Sequence, residues 1–100
     1  MAKVIFSIQY DVIPSKRDEY LNIMRELKTL VSGNGLVSYS VYEKKNKANS
    51  FEEVYTFASD EAYEEFDDNQ NERIDILMSK LSDMIKENST KYTTMHEVID

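Results

Sequence analysis

Residues 3–12 alternate. Val4, Phe6, Ile8, Tyr10 and Val12 share one parity; Lys3, Ser7, Gln9 and Asp11 share the other. A two-residue period rich in β-branched and aromatic side chains predicts a strand with one apolar face. Pro14, which cannot donate to a ladder, closes it. From Ser15 the period lengthens: Tyr20, Ile23, Met24, Leu27, Leu30 and Val31 recur at steps of three and four, the stripe of an amphipathic helix. Ser15 and Asp18 form a Ser-x-x-acid start signal, which predicts that the Ser15 hydroxyl caps the helix. Gly33-Asn34-Gly35 predicts its end, because these residues tolerate the left-handed conformation common at helix C-termini.

Period two then returns. Val37, Tyr39 and Val41 alternate with Ser38, Ser40 and Tyr42, and Phe51, Tyr55 and Phe57 alternate with Glu52, Val54 and Thr56. The polar stretch Glu43 to Ser50 between them suits a solvated hairpin loop, and its lysines, Lys44, Lys45 and Lys47, have no aromatic residues among them. Ser59-Asp60 predicts a second helix start. Ala62, Tyr63 and Phe66 make a first stripe, and Ile74, Leu77, Leu81, Met84 and Ile85 a second. The intervening Asp67–Arg73 contains no apolar residue and predicts a kink, a loop or an exposed turn, and hence two helices. A last strand opens at Lys91-Tyr92, with Tyr92, Thr94, His96 and Val98 on one face and Thr93, Met95, Glu97 and Ile99 on the other.

The order β-α-β-β-α-β predicts an α+β, ferredoxin-like domain spanning residues 1–100, a four-stranded antiparallel sheet with its helices on one face. The other face then carries Ile5, Ser7, Gln9, Ser38, Ser40, Tyr42, Val54, Thr56, Met95 and Ile99. That mixture is too apolar for easy solvation and too polar for a dry core, which predicts a second copy packed sheet to sheet, a homodimer.

Composition narrows the function. Twelve basic residues against 19 acidic ones give a net charge of −7, with no basic stripe to follow a phosphate backbone, so no nucleic-acid partner is expected. The absence of cysteine excludes a disulfide scaffold, thiol catalysis and a cysteine zinc site. No apolar run approaches the roughly 20 residues of a membrane helix, and Met1-Ala2-Lys3-Val4 does not read as a signal peptide, so the expectation is a cytoplasmic protein without a membrane partner. The acidic run from Asp60 to Asp75 lacks the Asp-x-Asp-x-Asp-Gly loop that wraps a divalent cation and reads as a solvated face. His96, the one histidine, titrates near neutral pH when unperturbed and offers a base or an axial ligand; the plainer reading is a strand-end residue beside tyrosines. Alone it cannot build a histidine-based metal site. Tyr10, Tyr39, Tyr55, Tyr63 and Tyr92 can converge on one space, where their hydroxyls need partners from packing or from a ligand.

The chain also resembles the antibiotic-biosynthesis-monooxygenase-like family of dimeric α+β barrels. The resemblance runs along nearly the whole length. It rests on the element order, on the Lys-Arg-Asp-Glu-Tyr-Leu helix start that follows Pro14, on Gly35-Leu36-Val37-Ser38-Tyr39, and on the stretch from Glu53 to Phe66. It implies a substrate pocket between sheet and helices. Some members oxygenate aromatic polyketides without metal or organic cofactor, some degrade haem, and others have no established activity. Phe57 stands where the family often has tryptophan. Phe66 or Asp67 stands where haem-degrading members place a histidine, and Ile8 and Gln9 lie near their first-strand asparagine. Tyr63 fits the tyrosine of the polyketide oxygenases, and Glu53 or a neighbour replaces their strand asparagine.

On this resemblance the expected pocket is lined by Ile8, Tyr10, Tyr39, Phe57, Tyr63, Phe66 and His96 and takes a small hydrophobic or aromatic ligand. Two readings stay open. One is a cofactor-independent, monooxygenase-like enzyme in which Tyr63 orients a substrate oxygen and His96 or Glu53, its pKa raised by burial, takes a proton. The other is a non-catalytic small-molecule binder or dimeric interaction module. Haem binding or degradation is a third reading, and the first two need no cofactor.

Overall fold

The structure, a computed structural model, describes residues 2–66 and 71–99. Four strands, β1 (Val4–Asp11), β2 (Leu36–Glu43), β3 (Ser50–Phe57) and β4 (Lys91–His96), form one antiparallel sheet in the order β2-β3-β1-β4. Helix α1 (Arg17–Leu30) joins β1 to β2. Helices α2 (Asp60–Glu65) and α3 (Glu72–Ser82) lie between β3 and β4. The expected α+β architecture is therefore present, with the second helical region divided in two. Residues 67–70, within the expected polar interruption, lie outside the described residues, as does Asp67 of the family comparison.

Register follows the alternation. Val4, Phe6, Ile8 and Tyr10 stand opposite Phe57, Tyr55, Glu53 and Phe51 on β3. The same β1 residues from Val4 to Ile8 face His96, Thr94 and Tyr92 on β4. A one-residue slip would turn the whole apolar set outward, so burial pins the pairing. Above this face α1 buries Tyr20, Ile23, Met24 and Leu27, and α3 buries Ile74, Leu77 and Leu81. Arg17 ties the start of α1 to the β2–β3 hairpin through Glu43 and Asn49, and its guanidinium lies over the Phe51 ring. Lys28, further along α1, donates to the Tyr39 carbonyl on β2.

Several boundaries differ from the sequence expectation. Ser15 does not cap α1: Pro14–Lys16 forms a 3-10 turn closed by Lys16 N–H donating to the Ile13 carbonyl, and no side chain caps the helix. Proline has a preset φ and no N–H to satisfy, so it can open the helical path by itself. The helix ends at Leu30 with Val31 extended, before the glycines. Gly35 instead serves the turn into β2, at φ +80, where a Cβ would lie 2.4 Å from that of Ala62. Both the conformation and the space call for glycine.

By contrast, Ser59 does cap α2, its Oγ accepting from Ala62 N–H, and Asn71 caps α3. α3 stops at Ser82; Met84 is buried beyond it and Ile85 bridges to Val12. β4 stops at His96, so Val98 and Ile99, expected on its two faces, are exposed outside the strand.

Candidate functional site

On the helix-facing side of the sheet α1 packs over β2 and β3, leaving a groove of about 490 Å³ along the β2 edge, and the sheet is more open towards β4. A cleft of about 550 Å³ lies between β1, β4 and the end of α3. Phe6, Ile8, Tyr10, Glu53 and Tyr55 form its strand wall, with Met78 and Leu81 on α3 and Tyr92 at the edge. Lys86, Glu87, Asn88 and Thr90 line the rim. The segment behind that rim is held by backbone bonds from Ile13 N–H to the Met84 carbonyl and from Lys86 N–H to the Asp11 carbonyl. A second cleft of about 410 Å³, lined by Phe57, Tyr63, Glu64 and Phe66, shares Phe6 and Tyr55 with the first.

Phe6 is the hub of this aromatic wall. Its ring centroid lies 5.8 Å from that of Tyr55, 6.1 Å from Tyr63 and 6.2 Å from Tyr92, the last nearly parallel. Tilted and offset contacts of this kind are the favoured geometries of aromatic pairs. They also present flat apolar surface to whatever enters.

At the floor sits Glu53, only 3% exposed. Its parity is that of Phe51, Tyr55 and Phe57, so β3 delivers a carboxylate to an otherwise apolar face. Buried carboxylates need donors, and two phenols supply them. Tyr10 Oη donates to Oε2 at 2.7 Å and Tyr39 Oη donates to Oε1 at 2.6 Å. Tyr10 Oη also lies 2.8 Å from Tyr20 Oη on α1. Burial, and then the nearby Glu53 charge, push the pKa of Tyr10 and Tyr39 far above the ordinary phenol value. Burial does the same to Tyr20. All three remain donors across any physiological pH.

The expected single pocket is thus two clefts meeting at Phe6 and Tyr55. Ile8, Tyr10 and Glu53 line the larger one; Phe57, Tyr63 and Phe66 line the smaller. Tyr63 is half-buried, its Oη 3.3 Å from Thr94 Oγ1. Tyr39 lines neither cleft and reaches the site from behind, through its bond to Glu53 and its ring 4.7 Å from that of Tyr55. His96 is exposed at the end of β4 and lines neither. Among the described residues no cluster of acidic or histidine side chains is arranged to hold a metal ion, and no helix is long and apolar enough to cross a membrane. Sequence reasoning missed the rim from Lys86 to Thr90 and the Tyr20 hydroxyl. Tyr20 shows in the sequence only as part of a helical stripe, which carries no sign of its partner.

No family model matches the chain, and no curated protein does. Solved structures do. A provisionally named antibiotic biosynthesis monooxygenase from Caulobacter crescentus superposes with a TM-score of 0.77 at 13% identity, over 98% of this chain and 92% of its own. A similarly named protein from Chloroflexus aurantiacus gives 0.72 at 13% identity, over 98% and 95%. SnoaB from Streptomyces nogalater, a cofactor-independent oxygenase in an asparagine-to-alanine variant, gives 0.67 at 12% identity, over 93% and 90%. The chain therefore has the ferredoxin-like α+β fold of the antibiotic-biosynthesis-monooxygenase-like proteins.

Proposed function

We propose that the protein is a cofactor-independent, monooxygenase-like enzyme acting on an aromatic or conjugated small molecule that carries an acidic hydroxyl. The observation that carries this reading is the buried Glu53 carboxylate at the floor of an aromatic cleft. A flat ligand laid along Phe6 would meet Glu53 at one end and reach towards Tyr63 at the other. Glu53 takes the hydroxyl proton, and Tyr63 hydrogen-bonds an oxygen of the resulting anion. An electron-rich phenolate can itself reduce dioxygen: one oxygen atom enters the ring, the other leaves as water, and the phenol becomes a quinone. The fold shared with a cofactor-independent oxygenase supports the same reading. His96, exposed and outside both clefts, has no part in it.

The test is dioxygen uptake with a panel of hydroxylated naphthalenes and anthracenes. Glu53→Gln, which keeps the shape but not the base, is expected to lower the rate by roughly 10²–10⁴-fold. No uptake with any member, by protein that still binds them, would leave the non-catalytic binder as the function. That alternative draws on Phe57, which offers the cleft an apolar ring without the indole N–H of the family tryptophan. A haemin titration without a Soret shift disposes of the haem reading.

The proposal includes a homodimer. The sheet face away from the helices carries Ile5, Val54, Tyr42 and Met95, the last two 58% and 54% exposed. A second copy packed on that face would cover them. Sedimentation as a stable monomer would remove this part of the proposal and leave the cleft untouched.

A further inference from the structure

A base at the end of a cleft needs one carboxylate; here two phenols bond it and a third bonds one of those two. Tyr10 comes from β1, Tyr39 from β2 and Tyr20 from α1, and with Glu53 from β3 all four side chains are buried. The pattern of donation is informative. A phenol donates one proton, and an ionised carboxylate is purely an acceptor with about four lone-pair positions. One phenol on each oxygen, at 2.6 and 2.7 Å, suits the ionised form, because charge-assisted bonds are the shorter and stronger ones. Held at both oxygens, the carboxylate cannot swing without breaking a bond. Tyr20, 2.8 Å from the Tyr10 hydroxyl, limits where that hydroxyl can point. The same carboxylate lines the 550 Å³ cleft.

We infer that Tyr10 and Tyr39, with Tyr20 acting through Tyr10, are positioning residues that hold Glu53 as a fixed, ionised acceptor, making it the specificity-determining group for a ligand whose buried end donates a hydrogen bond. The inference rests on the reading of this cleft as the ligand site. A hydroxyl end gains a strong acceptor; a carboxylate end meets a like charge in a site of low dielectric, where repulsion is poorly screened. Neutral hydroxyl-bearing aromatics are therefore selected over aromatic acids of the same shape.

Two measurements test it. In protein labelled with ¹³C at the glutamate carboxyls, the Glu53 resonance is assigned by its loss in Glu53→Gln and followed through a pH titration. Tyr39→Phe and Tyr10→Phe each raise its midpoint by about one pH unit, the loss of one charge-assisted bond. Tyr20→Phe raises it less, and adds nothing to Tyr10→Phe. A purely structural phenol would lower the melting temperature without moving this midpoint, so an unmoved midpoint in folded Tyr10→Phe and Tyr39→Phe overturns the positioning role. If one variant does not fold, the other decides, since the two phenols approach different oxygens from different strands.

The second measurement compares naphthol with the naphthoate of the same substitution at neutral pH. Wild-type protein binds the naphthol at least tenfold more tightly, and Glu53→Gln narrows the ratio. Equal binding of the pair, or binding of neither, overturns the selectivity. Failure of the enzymatic reading shows differently: naphthol binds with the expected preference and the midpoints move, yet no dioxygen is consumed.

Discussion

The two halves of the helix-facing side of the sheet share one sequence pattern and end up as different materials. Under α1, Tyr10, Tyr39 and Phe51 are buried and every phenol in the Glu53 network has a partner. Towards β4, Phe6 and Ile8 are half-buried and Tyr92 is 66% exposed. Alternation decides which way a side chain points. What lies above it decides whether it becomes core or wall. α1 is a continuous 14-residue helix whose stripe covers one half, whereas on the other α3 lines the cleft with Met78, Leu81 and Ser82 near its end. The open half is the part of the sheet available to a ligand, and the closed half holds the carboxylate that would meet it.

The largest expected effect comes from pH. Tyr10, Tyr20 and Tyr39 have folded pKa values well above the ordinary value near 10, so they ionise readily only once unfolded. Their contribution is fully present below pH ~10 and is lost as the pH rises beyond it, at up to about 4 kcal/mol per pH unit for three protons released together. Alkaline denaturation followed by tyrosinate absorbance and circular dichroism is expected to show one fraction of phenols titrating freely and another appearing only with unfolding. If all of the phenols titrate before the fold is lost, the closed half is not closed.

A pair of substitutions sharpens the contrast at constant pH. Leu27, fully buried in α1, is expected to cost about 2–5 kcal/mol as Leu27→Ala through lost burial and the cavity left behind. Tyr92→Ala, on the open side, removes mainly one ring contact with Phe6 and is expected to cost about 1 kcal/mol or less. Urea denaturation reads both, and similar costs would mean the two halves are equally packed.

The smallest effect lies at the margin of the closed half. Arg17, and then the Asn49 N–H, hold the Glu43 carboxyl down at about 2. A depressed acid contributes above its unfolded pKa and loses that contribution as pH falls through the folded one, here from about 4.5 to about 2. The pair is solvent-exposed, so the decline is shallow, and raised salt should flatten it further. Melting curves of wild type and Glu43→Gln across that range, with and without salt, are expected to converge at the acid end.

Much of this architecture can be read from the periods alone. Val4 to Val12 and Phe51 to Phe57 declare their faces, and the Asp67–Arg73 interruption announces two helices. The boundaries that differ, Ser15 and Val31, depend on competition between local caps, where Pro14 outweighed a serine hydroxyl. The site was partly visible by another route. Glu53 and Tyr63 come into view through the family resemblance, Glu53 at the place of a strand asparagine and Tyr63 at that of a tyrosine, not through the periods. His96 is a candidate by its chemistry alone, and chemistry does not record that it is exposed at the end of β4, outside both clefts. The Tyr20–Tyr10–Glu53–Tyr39 chain was not legible, because it joins residues up to 43 positions apart across four elements.

The contact between Gly35 and Ala62 bears on how such a site changes size. Gly35 has no room for a single added carbon, and the obstacle is the residue next to Tyr63. A methyl group placed at the β2 turn must displace α2, and α2 carries the Tyr63 wall of the smaller cleft. The reach of that cleft is thereby set by a position that never touches a ligand. A larger residue at position 35 would thus reshape the smaller cleft without altering any residue that lines it.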